Sequence, residues 1–549
     1  MMKNFKIKFW ILLGLTGFVF FEVSAASAQH AEKPNVILVI TDDQGFGDLG
    51  YHGNPHIKTP VLDKLAGESV RFTQFLVSPV CAPTRSSLLT GRYSLRTGVH
   101  DTFKGGAIMA TSEITIAEIL KNAGYRTGMV GKWHLGDNYP FRPEDQGFDY
   151  VLRHLSGGIG QPGDWPNTLQ GDSSYFNPTL WKNGKMVRTR GYCSDVFTEA
   201  AIDFIERQKE APFFLYLSYN APHTPLQVPE EYYEMYKNID PSKGFENDPR
   251  PFPEMTPREK EDARKVYAMV SNIDDNLGKL LAKLDTLHLT DNTLFIFMTD
   301  NGPQQFRYLA GLRGRKSMVY EGGIRVPCFW RYPDGFPGNR DINVTAAHYD
   351  ILPTLAELCG EKIPSNRKID GKSLLPLLKS KPVSWPERTF FHYWTRGYPQ
   401  KYHNVSVQHD HYKLVGQCAE EAEIEEFELF DLKQDPFEQH NIGKGHKMTA
   451  LYLKSRLDQW LEEMLTSPNM VHPPRAIIGS AKENPVYLNS NDALHIDDPA
   501  MKRPGLSWPV YNKTAGKFHI SVFFREAMET EGMIRCEIAG VNRMLRINS

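Results

Sequence analysis

Cys81-Ala82-Pro83-Thr84-Arg85 places a thiol two residues before a proline and four before an arginine, and it runs on through Ser86-Ser87-Leu88-Leu89-Thr90-Gly91-Arg92. The stretch reads as a turn leading into the first turn of a helix. Backbone N–H groups at a helix start attract negative charge, and a guanidinium offers a two-pronged fork to a tetrahedral oxyanion. These residue types at this spacing set a nucleophile beside an anion site.

Other chemistry-bearing residues follow short apolar runs. Asp42 and Asp43 come directly after Asn35–Thr41, and Asp300 and Asn301 directly after Thr293–Thr299. Ligands of open α/β sheets bind beyond the carboxyl ends of the strands. One acidic pair alone there reads as loop residues or helix caps. Two pairs at one sheet edge make an all-oxygen set for a hard divalent cation, and Ca2+ suits irregular geometry better than Mg2+. Lys132 and His134 follow Arg126–Val130, and His223 follows Phe213–Tyr219 between Pro222 and Pro225. A histidine at that edge is a candidate general acid for a leaving oxygen. The loop Gly311-Leu312-Arg313-Gly314-Arg315-Lys316 has the glycines and cations that suit anion binding.

The positioning elements alternate. Apolar runs at 35–41, 126–130, 213–219, 293–299 and 324–330 read as buried strands. Helical patterns at 112–123, 195–208 and 257–287 separate them. The order predicts an α/β fold, a large and mostly parallel sheet sandwiched by helices. Strand-like segments near 389–393, 405–408, 413–415 and 427–432, then a helix over 447–464, predict a smaller C-terminal α+β subdomain. The expected organisation is a signal peptide over 1–28, a catalytic domain over 34–381, the subdomain over 382–468, and a linker with a small β-rich extension over 469–549. Within that extension, 517–524 and 533–545 alternate like a hairpin.

The chain has 549 residues, 41% of them hydrophobic, and a net charge of −2, so it is expected to be globular and not a nucleic-acid binder. Lys3, Lys6 and Lys8 precede an apolar run from Phe9 to Phe21, and Ala26-Ser27-Ala28 offers a cleavage site. The run is short for a membrane span. The mature protein is expected to be exported, periplasmic or secreted, with no membrane partner after cleavage. The six cysteines are too widely spaced for a zinc knuckle or redox pair, and the five besides Cys81 read as buried small hydrophobes.

The segments TDDQGFGDLGYHG, CAPTRSSLLTGR, GKWHLG, APHTP, TDNG and LRGRKSMVYEGGIRVP resemble, in order, the blocks of the type I sulfatases. These are arylsulfatase-like members of the alkaline phosphatase superfamily, and FELFDLKQDPFEQHNI is similar to their C-terminal subdomain. The resemblance implies sulfate-ester hydrolysis through a formylglycine made from Cys81 by a formylglycine-generating or sulfatase-maturating enzyme. It implies one Ca2+ held by Asp42, Asp43, Asp300, Asn301 and an oxygen of modified Cys81. Arg85 would orient the formylglycine, Lys132 and Lys316 would bind sulfate oxygens, His223 would protonate the leaving alcohol, and His134 would contact the diol. Arg315 stands where the family often has glycine. A sulfated carbohydrate is the expected substrate, with Trp165, Trp394 and His392 as candidate sugar contacts. Two other readings stay open: a phosphodiesterase or phosphonate monoester hydrolase on this scaffold, and a non-catalytic binder of sulfated glycans.

Overall fold

The central strand Asn35–Thr41 is buried along its whole length and alternates between two cores. Val36, Leu38 and Ile40 face one core, Ile37 and Val39 the other. A strand apolar on both sides needs a helical layer on each face. Cys81–Thr90, Ile116–Asn122 and Ile351–Leu358 supply residues to the first core. Pro60–Glu68, Cys193–Gln208 and Pro257–Thr286 supply residues to the second. The architecture is an α/β three-layer sandwich in a computed structural model. The model describes residues 33–549 apart from 165–166, 168–173, 253, 383, 497–504, 523–531, 539–540 and 548–549.

The main sheet has ten strands. Its centre runs Thr293–Thr299, Asn35–Thr41, Phe213–Ser218, Arg126–Gly131, Tyr150–Arg153, all parallel. Antiparallel neighbours flank it, with Cys328–Arg331 on one side and Thr179–Lys182 on the other. The expected strand over 324–330 is divided. Glu321–Ile324 is one helical turn, Arg325–Val326 pairs with Phe75–Leu76 in a separate small sheet, and Cys328–Arg331 joins the main one. Pro327, between the two pieces, has no N–H to give a ladder.

The smaller sheet orders Thr389–Tyr393, His403–His409, Tyr412–Gln417 and Glu428–Asp431 as antiparallel neighbours, with the helix Lys447–Leu465 packed on it. Residues 469–493 are not a free linker. Asn469 donates to the Arg96 carbonyl at 2.8 Å, and Asn491, Asp492 and Ala493 are buried. The terminal hairpin pairs Gly532–Ile538 with Val541–Ile547, while the described part of 517–524 forms no strand. The proposed leader, residues 1–28, lies outside the described residues. No helix among the described residues is long and apolar enough to cross a membrane.

Candidate active site

Strand register assembles the site. Ile40 pairs with Ser218, Thr41 with Thr299, and Gly131 with Ser218. Four parallel strands therefore end at one level, and the next residues of two of them, Asp42 and Asp300, leave the sheet together. Lys132 emerges through a tight crossing, its N–H bonded to the Ser218 carbonyl at 2.8 Å. Gly131 has φ +106°, and a Cβ there would lie 1.9 Å from that same oxygen, so only glycine fits.

Cys81 is the first residue of the helix Cys81–Thr90, all ten of whose residues are buried. Pro83 sits in its first turn, where no N–H is required. Arg85, fully buried one turn on, donates to Asp300 Oδ2 at 2.7 Å, to the Lys132 carbonyl at 3.3 Å and to the Ser218 hydroxyl. Cys81 Sγ is 3.4 Å from His134 Nδ1. His134 Nε2 is 2.9 Å from the Thr102 carbonyl, which fixes the N–H on Nε2 and leaves the Nδ1 lone pair facing the thiol. Burial, with Lys132 nearby, holds this histidine well below its ordinary pKa, so the ring is neutral. Its backbone is left-handed, φ +59°, as is that of Asp43 at +64°. Such conformations cluster where a site fixes its side chains.

Asp42, Asp43, Asp300 and Asn301 converge on one point. Asn301 Nδ2 donates to Asp43 Oδ1 at 2.8 Å, and the Asp43 N–H donates to Asp300 Oδ1 at 3.1 Å. Three buried oxygens, Asp42 Oδ1, Asp43 Oδ2 and Asn301 Oδ1, have no hydrogen-bond partner. Ligand atoms of Asp42, Cys81 and Asp300 lie within 4.8 Å of one another, as do those of Asp42, Asp43 and His223. Unpartnered buried oxygens at this density fit a hard divalent cation. The carboxylates also repel one another. Burial would raise Asp42, but Lys132, His223, Arg85 and Lys316 prevail and hold it below the usual range. Asp300 is raised, by burial and then by the charge of Asp42.

Two lysines reach the cluster, each on a different carboxylate. Lys132 Nζ is 2.6 Å from Asp42 Oδ2, and Lys316 Nζ is 2.6 Å from Asp43 Oδ1. Burial opposes the charge on Lys316, but Asp43, Cys81 and Asp42 outweigh it and raise its pKa. His223 Nε2 lies 3.7 Å from Asp43 Oδ2. Its Nδ1 sits 2.7 Å from the Thr224 carbonyl and 3.3 Å from Gln161 Nε2. The shorter contact requires Nδ1–H, so Nε2 presents its lone pair to the site. Burial and then Lys316 lower this ring to about 4.

The model of the family described as Sulfatase matches residues 34–361, and that described as N-sulphoglucosamine sulphohydrolase, C-terminal, matches 314–466. This chain belongs to the sulfatase family. Human arylsulfatase A is 32% identical over 477 residues, which cover 77% of this chain and 85% of that protein. The N-acetylglucosamine-6-O-sulfatase of Bacteroides thetaiotaomicron is 27% identical, covering 82% and 90%. Among solved structures, that of Ps i-CgsB in complex with k-i-k-neocarrahexaose aligns with a TM-score of 0.68 at 29% identity, covering 80% of this chain and 94% of that one. These matches establish a sulfuric ester hydrolase of the alkaline phosphatase superfamily.

The structure of this sulfatase brings all ten candidate residues into one cluster. It also shows supports that sequence patterns did not reveal. Arg307, fully buried, grips Asp48 with Nε and Nη2 and donates to the Asp43 carbonyl at 2.9 Å. Gln161 holds the His223–Thr224 turn through the Thr224 carbonyl at 2.8 Å. The Asp48–Arg307 pair spans 259 residues, beyond any local pattern. The candidate sugar contacts fare differently. His392 is buried in the smaller sheet beside Ser406, 3.4 Å away, and is structural. Trp394 is half-buried, its indole N–H 3.3 Å from Asp101 and one face covered by Arg396. Trp165 lies outside the described residues.

Proposed function

We propose that this chain is an exported, calcium-dependent carbohydrate sulfatase that works through a formylglycine made from Cys81 by a maturation enzyme. One observation carries the reading: Cys81 heads a buried helix within 4.8 Å of the Asp42 and Asp300 ligand atoms, with the His134 lone pair 3.4 Å away. The substrate class is supported by relatives named for sulfated amino sugars, and export by the leader-like start of the sequence.

Asp42, Asp43, Asp300 and Asn301 would hold the cation, joined by an oxygen of modified Cys81. When bound, the cation neutralises the carboxylates and favours ionisation of a neighbouring hydroxyl. A hydrated aldehyde at position 81 supplies one hydroxyl to attack sulfur and a second whose deprotonation re-forms the carbonyl and expels sulfate. A thiol has no such release route. His134 Nδ1, unprotonated and facing residue 81, is placed to take that proton. Lys132 and Lys316 are the fixed cations for the sulfuryl oxygens, and Arg85 holds the strand ends together. His223 Nε2 serves the leaving oxygen. It is unprotonated at rest, and negative charge arriving with the ester raises its proton affinity.

The test is sulfate release from sulfated mono- and oligosaccharides, an aryl sulfate and matched phosphonate esters, by protein whose residue 81 has been weighed by mass spectrometry. The aldehyde mass is expected, with a loss of at least about a thousandfold in kcat for Cys81→Ala. Substantial turnover by Cys81→Ala would refute the mechanism. Cleavage of phosphonates with no sulfate released from any sugar would refute the substrate.

A further inference from the structure

A cleft of about 540 Å3 is lined by chain neighbours of two site residues. Thr224 and Pro225, next to His223, form one wall, and Arg315, next to Lys316, forms another. The first three turns of the helix Pro257–Thr286 line it with Arg258, Glu259, Asp262 and Lys265.

The cations of the cleft are unevenly matched. Arg315 is held by the Gln304 carbonyl at 2.7 Å and by the face of Phe306 at 4.3 Å, and has no ion pair among the described residues. Arg258 likewise has no ion pair among them, and it occupies the first turn of a thirty-residue helix, the end whose dipole favours anions over cations. Lys265 pairs with Glu261 at 4.0 Å. Of the two acids, Glu259 is committed to the helix cap, accepting from the N–H and hydroxyl of Thr256, both at 2.8 Å. Asp262 lies near Arg258 and Lys265, and Glu259 near Arg315. Three cations thus face two carboxylates, and neither guanidinium is locked in a close ion pair among the described residues; with Gln227, Gln304 and Thr224 the cleft forms a receptor for an oxyanion.

We infer that the cleft takes a second anionic group of the substrate, a sulfate or carboxylate on the sugar that carries the ester or on its neighbour. The enzyme then selects multiply anionic glycans, with Arg315 and Arg258 as specificity residues. This inference rests on the carbohydrate-sulfatase reading.

Three disaccharides test it, matched except for the second group: one ester sulfate alone, the same with a second sulfate, and the same with a uronate carboxylate. The expected kcat/KM is at least about tenfold higher for a doubly anionic substrate, the scale of one charge-assisted hydrogen bond. Whichever doubly anionic disaccharide is preferred identifies the group. Arg315→Gln and, independently, Arg258→Gln on the exposed helix turn should collapse that ratio, with melting temperatures confirming folding. Added salt should shrink the wild-type ratio. A wild-type ratio near one, or a ratio untouched by both substitutions while the singly sulfated sugar is still cleaved, overturns the inference. No sulfate from any of the three would instead strike the carbohydrate-sulfatase reading beneath it.

Discussion

Arg307 shows how a residue outside the chemistry can set it. Its guanidinium and the Asp48 carboxylate are both fully buried, 2.6 Å apart at Nη2 and Oδ2. Asp48 also accepts from the Gly45 N–H at 2.7 Å, so the pair ties the loop that follows the central strand into a fixed curve. Removing one member of a buried pair leaves the other charged and unsolvated, which costs about 3–5 kcal/mol. Arg307→Ala should lower stability by that order and weaken calcium binding at the proposed cation site, because the Asp43 carbonyl loses its donor. Arg307→Lys keeps the charge but not the fork and should recover only part of both. Urea unfolding midpoints and calcium titration would check this. Calcium affinity unchanged in Arg307→Ala would show that the Asp43 loop holds its shape without the pair.

At the scale of elements, the strand crossing at Gly131 is a tight constraint beside the site. A methyl group there meets the Ser218 carbonyl oxygen at 1.9 Å, and φ +106° suits only glycine. Gly131→Ala should destabilise by at least about 2 kcal/mol and displace Lys132, so kcat falls more than the loss of folded protein explains. Comparing turnover with the folded fraction by circular dichroism separates the two effects. The central strands were legible because parallel strands buried on both faces are continuous apolar runs. Asn35–Thr41 and Thr293–Thr299 have the expected bounds. The polar residues at their ends were legible because sheet topology says where ligands collect. Three features were not. Pro327 divides an apolar run that reads as one strand. Residues 469–493 have linker composition, yet polar side chains among them are bound to the main fold: Asn489 Nδ2 donates to Asp137 Oδ2 at 2.9 Å, and Glu483 accepts from the Tyr139 N–H at 2.7 Å. The Thr102 carbonyl that fixes the His134 tautomer is backbone, which no side-chain pattern reports.

Across the whole molecule, buried titratable groups away from the metal site pull stability in opposite directions with pH. His348, buried with Nδ1 3.0 Å from the Leu76 carbonyl, is lowered to about 4 by desolvation. Unfolded, it titrates near 6.5, so between about 4 and 6.5 the unfolded chain binds more protons and acid destabilises. Asp274 behaves oppositely. It accepts from the N–H groups of Val61 and Leu62 at 3.0 and 2.7 Å, yet burial raises it to about 7. Between 3.8 and about 7 the folded chain holds the extra proton, so its contribution is fully present at low pH and is lost as pH rises. The two groups partly cancel in the wild-type curve, and single substitutions should expose them. His348→Asn, whose amide can replace the Nδ1 donor, should gain on the wild type as pH falls from 6.5 toward 4. The gain is bounded by about 3 kcal/mol for a shift of this size. Asp274→Asn should gain on the wild type as pH rises from 4 to 7. Urea unfolding of both variants across that range gives two difference curves of opposite slope, and flat or parallel curves would mean that neither group stays buried through the transition.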